Sequence, residues 1–180
     1  MKKYFIIPIL AILMSLTFAS CEKDEVENTA TVEMAGEWHI HVSAVNPETG
    51  EVDDPDWFGD GVYNITTCNT AANVATKMFL VDDICYYYPY QVEINVDPST
   101  MTFSSVTDAE NLYGGTNYGG ERVTITGGKI VKNGTTTPSG MPADYIEYYI
   151  TFSDDVLAPY LEGDVVKVSG FRYTGFADDE

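Results

Sequence analysis

From residue 36 onward, apolar and polar residues alternate with period two over most of the chain, the pattern of strands that bury one face. Between Glu37 and Val45, Trp38, Ile40, Val42 and Ala44 share one face, while His39, His41 and Ser43 share the other. Val62–Asn69 and Lys77–Asp82 read as the next two strands, the second apolar on both faces. Tyr86–Tyr90 leads into Gln91–Val96, and Pro89 predicts an edge or a bulge there because proline cannot donate to a ladder. Met101–Val106 is a short strand. Ile146, Tyr148, Ile150 and Phe152 line one face of a later one, and Asp164–Thr174 forms the last.

The intervening stretches carry turn residues. Asn46–Gly61 is a loop rich in Pro, Gly and Asp. Asp82-Asp83 and Asp97-Pro98-Ser99-Thr100 read as turns, and Gly114, Gly115, Gly119 and Gly120 mark a glycine-rich loop. Arg122–Thr126 and Lys129–Asn133 flank Gly127-Gly128, which predicts a hairpin. A helical period is nowhere sustained, and Asp155–Leu161 has room for one turn. Eight or nine strands in series predict an all-β fold, a single antiparallel meander closed into a β-barrel of about eight strands, because closure removes exposed edges. A two-sheet β-sandwich is the alternative.

The first 20 residues follow a different pattern. Lys2 and Lys3 precede an uncharged apolar run from Tyr4 to Ala19, interrupted by Pro8. That run is shorter than the roughly 18 to 20 apolar residues a membrane span needs, so a removable signal peptide over 1–20 fits better. It ends in Phe18-Ala19-Ser20-Cys21, which resembles the lipobox of bacterial lipoproteins, with Phe18 in place of the usual Leu. The resemblance implies cleavage before Cys21 and acylation of its thiol, a firm membrane anchor since each buried methylene adds about 0.8 kcal/mol. Glu22-Lys23-Asp24-Glu25 is similar to the acidic signal that sends some lipoproteins to the outer face of the outer membrane, with its inward face as the alternative. Residues 21–34 then read as the lipidated cysteine and a flexible acidic linker, and 35–177 as the barrel domain.

Charge removes one class of partner. The chain carries 9 basic and 28 acidic residues, a net −19; without residues 1–20 two lysines and no acid are lost, leaving 7 minus 28, or −21. Such a chain is repelled by nucleic acid and by anionic headgroups, so nucleic acid is excluded and membrane contact rests on the anchor. Two thiols remain after lipidation. Cys68 and Cys85 form a disulfide, as envelope compartments favour, or stay as small buried apolar groups.

Candidate chemistry is sparse. His39 and His41 are the two histidines of the chain, and by parity both point to solvent, away from Trp38. A Gly-x-Ser-x-Gly elbow is absent, so a Ser-His-Asp triad has no visible basis. Asp53, Asp54, Asp56 and Asp60 crowd one loop without the spacing of a calcium site, and no metal or cofactor is expected. Trp57 and Phe58, set among these acids, cap a barrel mouth or tuck back into the core. The tyrosines of Tyr86–Tyr90, with Tyr145, Tyr148 and Tyr149, offer amphipathic faces for lipid or glycan recognition, against ordinary strand packing. Trp57, Phe58, Tyr88 and Tyr148 are the candidate ligand contacts.

Two resemblances sharpen this. Gly36-Glu37-Trp38 on the first strand and Arg172 on the last resemble the calycin pattern of lipocalins, fatty-acid-binding proteins and avidins. In that pattern a guanidinium stacks on the indole and closes the barrel floor. Arg172 shares parity with Val166, Val168 and Gly170, so both partners point inward. In addition, Asn64–Asn73 followed by Met78–Asp83 is similar to the bacterial lipoprotein family called lipid-binding putative hydrolases, over about Gly36–Phe176, with Phe79-Leu80 where that family commonly has a Trp. The resemblance implies a calycin-like barrel and a small hydrophobic ligand, and it supplies no catalytic residue. Three functions stay open: a lipid-anchored barrel binding a small hydrophobic or amphipathic ligand, a surface accessory protein with envelope protein partners and no internal ligand, and a hydrolase.

Overall fold

The computed structural model describes residues 28–55, 57, 62–82, 89–113, 122–153 and 163–179. The expected signal peptide over 1–20, Cys21, Asp56, Phe58, Asp60, the tyrosines of 86–88 with Tyr88, Cys85, the four glycines of 114–120 and Asp155–Leu161 lie outside these. Among the described residues ten strands follow in order: β1 (Gly36–Val45), β2 (Val52–Asp54), β3 (Tyr63–Asn69), β4 (Lys77–Asp82), β5 (Tyr90–Asp97), β6 (Thr102–Ser104), β7 (Ala109–Glu110), β8 (Arg122–Thr136), β9 (Pro142–Phe152) and β10 (Val165–Arg172). A single 3-10 turn, Ala177–Asp179, follows them.

Sequential antiparallel pairing runs from β1 through β3, β4, β5, β6, β8 and β9 to β10. β10 then returns to pair with β1, from Trp38↔Arg172 to Val45↔Val165. That pairing closes an eight-stranded barrel, so the sandwich is set aside. Strands β2 and β7 are short additions on β1 and β8. At the seam, Gly170 faces Ile40, and a Cβ on it would lie 1.9 Å from the His39 carbonyl oxygen. Only a residue without a side chain lets β10 lie this close to β1.

The predicted alternation is realised as an inside and an outside. Trp38, Ile40, Ile65, Met78, Leu80, Val92, Ile94, Ile125, Ile146, Tyr148, Ile150, Val166 and Val168 share one buried cluster. The end where β1 starts and β10 finishes is the floor; the opposite end is the mouth. Alternating strand direction puts the connections 70–76, 98–101 and 137–141 at the floor and the strand ends that flank the longer 46–62, 105–121 and 153–164, with those flanking 83–89, at the mouth.

Three sequence expectations change. Gly127-Gly128 does not turn a hairpin, because β8 continues through it and pairs with the same strand, β9, on both sides of it. The two glycines sit between Thr126↔Tyr149 and Lys129↔Glu147, so two residues oppose Tyr148 alone. This is a β-bulge. Gly127 takes φ +62, and a Cβ on Gly128 would lie 2.3 Å from the Phe103 ring, where β6 crosses closest. Second, the loop 46–61 contains strand β2, and the predicted Met101–Val106 strand shortens to Thr102–Ser104. Third, the segment before β1 is packed from residue 29 onward: it forms a turn in which Thr31 and Met34 are buried, Met34 within the core cluster.

Candidate functional site

The floor is built around Trp38, which is fully buried. Its indole N–H donates to Thr67 Oγ1 at 2.9 Å, and the Thr67 hydroxyl donates in turn to the Met34 carbonyl at 2.7 Å. Thr67 has the same inward parity as Ile65, which was the available sequence signal for it. The Arg172 guanidinium lies over the indole, its Cζ 4.3 Å from the ring centroid, a cation–π geometry.

Each guanidinium nitrogen also donates a hydrogen bond. Arg172 donates to the carbonyls of Ala35 and of Glu33, the latter at 3.1 Å, and its Nε to Asp144 Oδ2 at 3.2 Å. These carbonyls belong to the turn before β1, so the guanidinium satisfies backbone acceptors that no ladder reaches. Gly36 is required by the same packing: a Cβ there would lie 2.1 Å from an Arg172 guanidinium nitrogen. Lys132 extends the cluster, with its ammonium 2.9 Å from the Glu33 carboxylate and 3.4 Å from Asp144. Burial opposes ionisation of Asp144, but the Asn133 N–H, Lys132 and Arg172 outweigh it and hold the carboxyl below its ordinary range. Asp144 shares parity with Ile146 and Tyr148, and sequence reasoning passed over it.

Toward the mouth the interior changes character. The Tyr90 and Tyr148 hydroxyls meet at 2.6 Å inside the barrel. Phe103 packs against Tyr148, and Phe152 lies edge-on to Tyr90. Asp82, also buried, stands opposite Tyr90 across β4 and β5. Trp57, Tyr63, Val42 and Phe152 are partly buried against this end of the core. Of the four candidate ligand contacts, Tyr148 is therefore an inner-wall residue and Trp57 packs on the core, while Phe58 and Tyr88 lie outside the described residues. Tyr90 and Asp82 complete the polar group that the sequence showed only in Tyr148.

The outer wall corrects the reading of the histidines. His41 is exposed as expected, but His39 is 5% exposed. Its ring stacks on Tyr173 at 4.5 Å between centroids and meets Phe171 edge-on at 5.5 Å. Parity places it outside correctly; the aromatic side chains of β10 and of the residue after it then cover it. Glu37, Val62, Asn64 and Tyr173 line a cleft of about 380 Å³ beside it. Cys68 is a free thiol on the same outer surface, opposite Phe79, and burial pushes its pKa up. Asp53 and Asp54 are exposed on β2, and among the described residues no three metal-ligating side chains gather.

Further along the outer wall, Glu147 is held by Lys129 at 2.6 Å, Lys167 at 2.8 Å and the Tyr145 hydroxyl at 2.7 Å. Burial of the carboxyl opposes its charge, yet these three donors bring its pKa down to about 2 from 4.5. A depressed folded-state pKa stabilises the fold fully above the unfolded value, and the gain disappears as pH falls toward 2. Glu147→Gln is expected to cost about 1–2 kcal/mol at pH 7, after discounting for solvent around the lysines, and no more than about 0.4 kcal/mol at pH 2. Urea unfolding midpoints of the two proteins between pH 7 and 2 measure this; parallel pH curves would contradict it.

No curated protein matches the chain. Among solved structures, a Bacteroides ovatus protein of unknown function resembles it at 17% identity and a TM-score of 0.40. The likeness covers 78% of this chain and 42% of that one, so the chain spans less than half of that protein's length. A likeness this distant carries no argument about function. The family comparison is of a different order: the model of the family described as "Lipid-binding putative hydrolase" matches residues 23–177, which takes in every strand and the complete Trp38–Arg172 floor. The chain belongs to that lipid-binding family.

Proposed function

We propose that this chain is a lipoprotein, acylated on Cys21 and held at the outer membrane, whose barrel takes a small hydrophobic or amphipathic ligand through its mouth. The observation that carries the binding reading is the asymmetry of the closed barrel. One end is plugged by Trp38, Arg172 and Asp144 and joined by short connections. The strand ends joined by the long connections lie at the other, where binding residues characteristically sit. Met34, Trp38, Met78, Ile94 and Ile146 are almost fully buried and pack against the plug, and the reading assigns the ligand to the mouth half, near the Tyr90–Tyr148 hydroxyl pair. An apolar wall with a few convergent hydroxyls suits an acyl chain carrying a hydrogen-bonding head.

The equally deep burial of Leu80, Val92, Val123 and Ile150 toward the mouth favours, to a lesser degree, a surface accessory role without an internal ligand. A hydrolase has less support, since both histidines stand on the outer wall and neither faces the interior. Native mass spectrometry of the chain from residue 22 onward separates these readings. The binding reading expects a co-purifying mass of a few hundred daltons that a fluorescent fatty acid displaces. A bare mass together with no uptake of the fluorescent acid would favour the accessory role. For the anchor, Cys21→Ala is expected to abolish incorporation of labelled palmitate and to release the protein from the membrane fraction. Retention in the membrane without label would contradict acylation there.

A further inference from the structure

We infer that the plugged floor of the barrel rests on the bilayer that carries the anchor, so that the mouth points away from that bilayer; this rests on the proposed acylation of Cys21. The argument begins with where the described chain enters. The turn 29–35 crosses the floor and is tied to it at several points. The Ala30 N–H donates to Asn73 Oδ1 in the β3–β4 connection, the Met34 carbonyl accepts from Thr67, and the Glu33 and Ala35 carbonyls accept from Arg172. The chain therefore leaves the barrel at the floor, on the way back to Cys21.

Six residues, 22–27, separate Cys21 from Asn28. Fully extended they reach about 20 Å. Strand β1 has ten residues, and a barrel wall of that length tilted by about 40° stands roughly 25 Å tall. A tether that begins at the floor and is no longer than the wall cannot bring the mouth down onto the same membrane. The floor itself offers a surface suited to the bilayer interface. Val32, Val74, Met141 and Phe176 are exposed there, one on each of four floor segments. These segments are joined in pairs, 29–35 to 70–76 by Ala30–Asn73 and 137–141 to the C-terminal turn by Ser139 and Thr174 on Asp179. Apolar side chains are exposed at the mouth too, Val52 and Leu112 among them, so the tether decides which end faces the lipid. The consequence for the ligand is direct: it reaches the mouth from the aqueous or partner side and is not drawn from the anchoring leaflet.

The test uses the full acylated protein in phosphatidylcholine vesicles doped with a nickel-chelating lipid. Nitroxides are placed at Ser139→Cys on the floor and Asp53→Cys at the mouth, in a background carrying Cys68→Ser and Cys85→Ser whose unfolding midpoint is checked first. Nickel is expected to enhance relaxation of the floor label at least threefold more than that of the mouth label. Met141→Ser with Phe176→Ser is expected to reduce the floor enhancement at least twofold without detaching the protein. An acylated protein with equal enhancement at both labels, lying on its side or floating free, overturns the inference, as does stronger enhancement at the mouth. A chain whose mass shows no acyl group on Cys21 overturns the anchor reading, and this orientation with it.

Discussion

Gly170→Ala is expected to lower stability by about 3–4 kcal/mol, more than most single-methyl additions, because the new atom has no direction in which to be relieved. Its Cβ would stand 1.9 Å from the His39 carbonyl oxygen and 2.7 Å from the Ile40 Cα. Both are backbone atoms of β1, so no rotamer change can help. The strands must separate, and they are the two that close the barrel. Gly140→Ala is the control. Gly140 has nothing within 4 Å of a Cβ but takes φ +86, so its substitution costs only backbone strain, about 1 kcal/mol. Thermal or urea unfolding of both variants decides the matter. Equal losses would mean that the seam glycine is present for its backbone freedom and not for close strand approach.

The seam and the floor were legible in the sequence to different degrees. Trp38 and Arg172 could be paired on paper because each lies in a strongly alternating strand, and parity alone sends both inward. The antiparallel order followed from the short spacers between strands. What parity could not supply was shielding by neighbours. His39 points outward as expected, yet Phe171, its cross-strand partner, and Tyr173 bury it. Gly127-Gly128 misled for a related reason. A glycine pair between two alternating runs fits a hairpin and a bulge equally well, and only the unbroken pairing of β9 across both halves distinguishes them. Met34 and Thr31 sit in a stretch with no period at all, so their burial becomes visible only once the floor exists to receive them. Asp144 and Thr67 were missed because a polar residue on an inward face reads as noise until its partner is known.

The floor itself provides the second large effect. Trp38→Ala removes a fully buried indole and is expected to cost about 4 kcal/mol. Arg172→Ala is expected to cost about 3 kcal/mol, because it strips the ring of its cation, the Glu33 and Ala35 carbonyls of their donor, and Asp144 of one of its counter-charges. These losses mix packing, hydrogen bonding and charge, so a cycle is needed to isolate the stacking. Trp38→Leu keeps apolar bulk but removes both the aromatic face under the guanidinium and the N–H to Thr67. Combined with Arg172→Ala it should fall short of the summed single losses by about 1 kcal/mol, the coupling between ring and cation. Arg172→Lys tests the fork, since an ammonium cannot reach the two carbonyls and Asp144 together; most of the Arg172→Ala loss should persist in it. The coupling should also change little between low and high salt, because the indole is shut away from the solvent ions that screen exposed charges. Additive losses in the Trp38→Leu cycle, or a lysine that restores full stability, would reduce the floor to an apolar plug with a salt bridge beneath it.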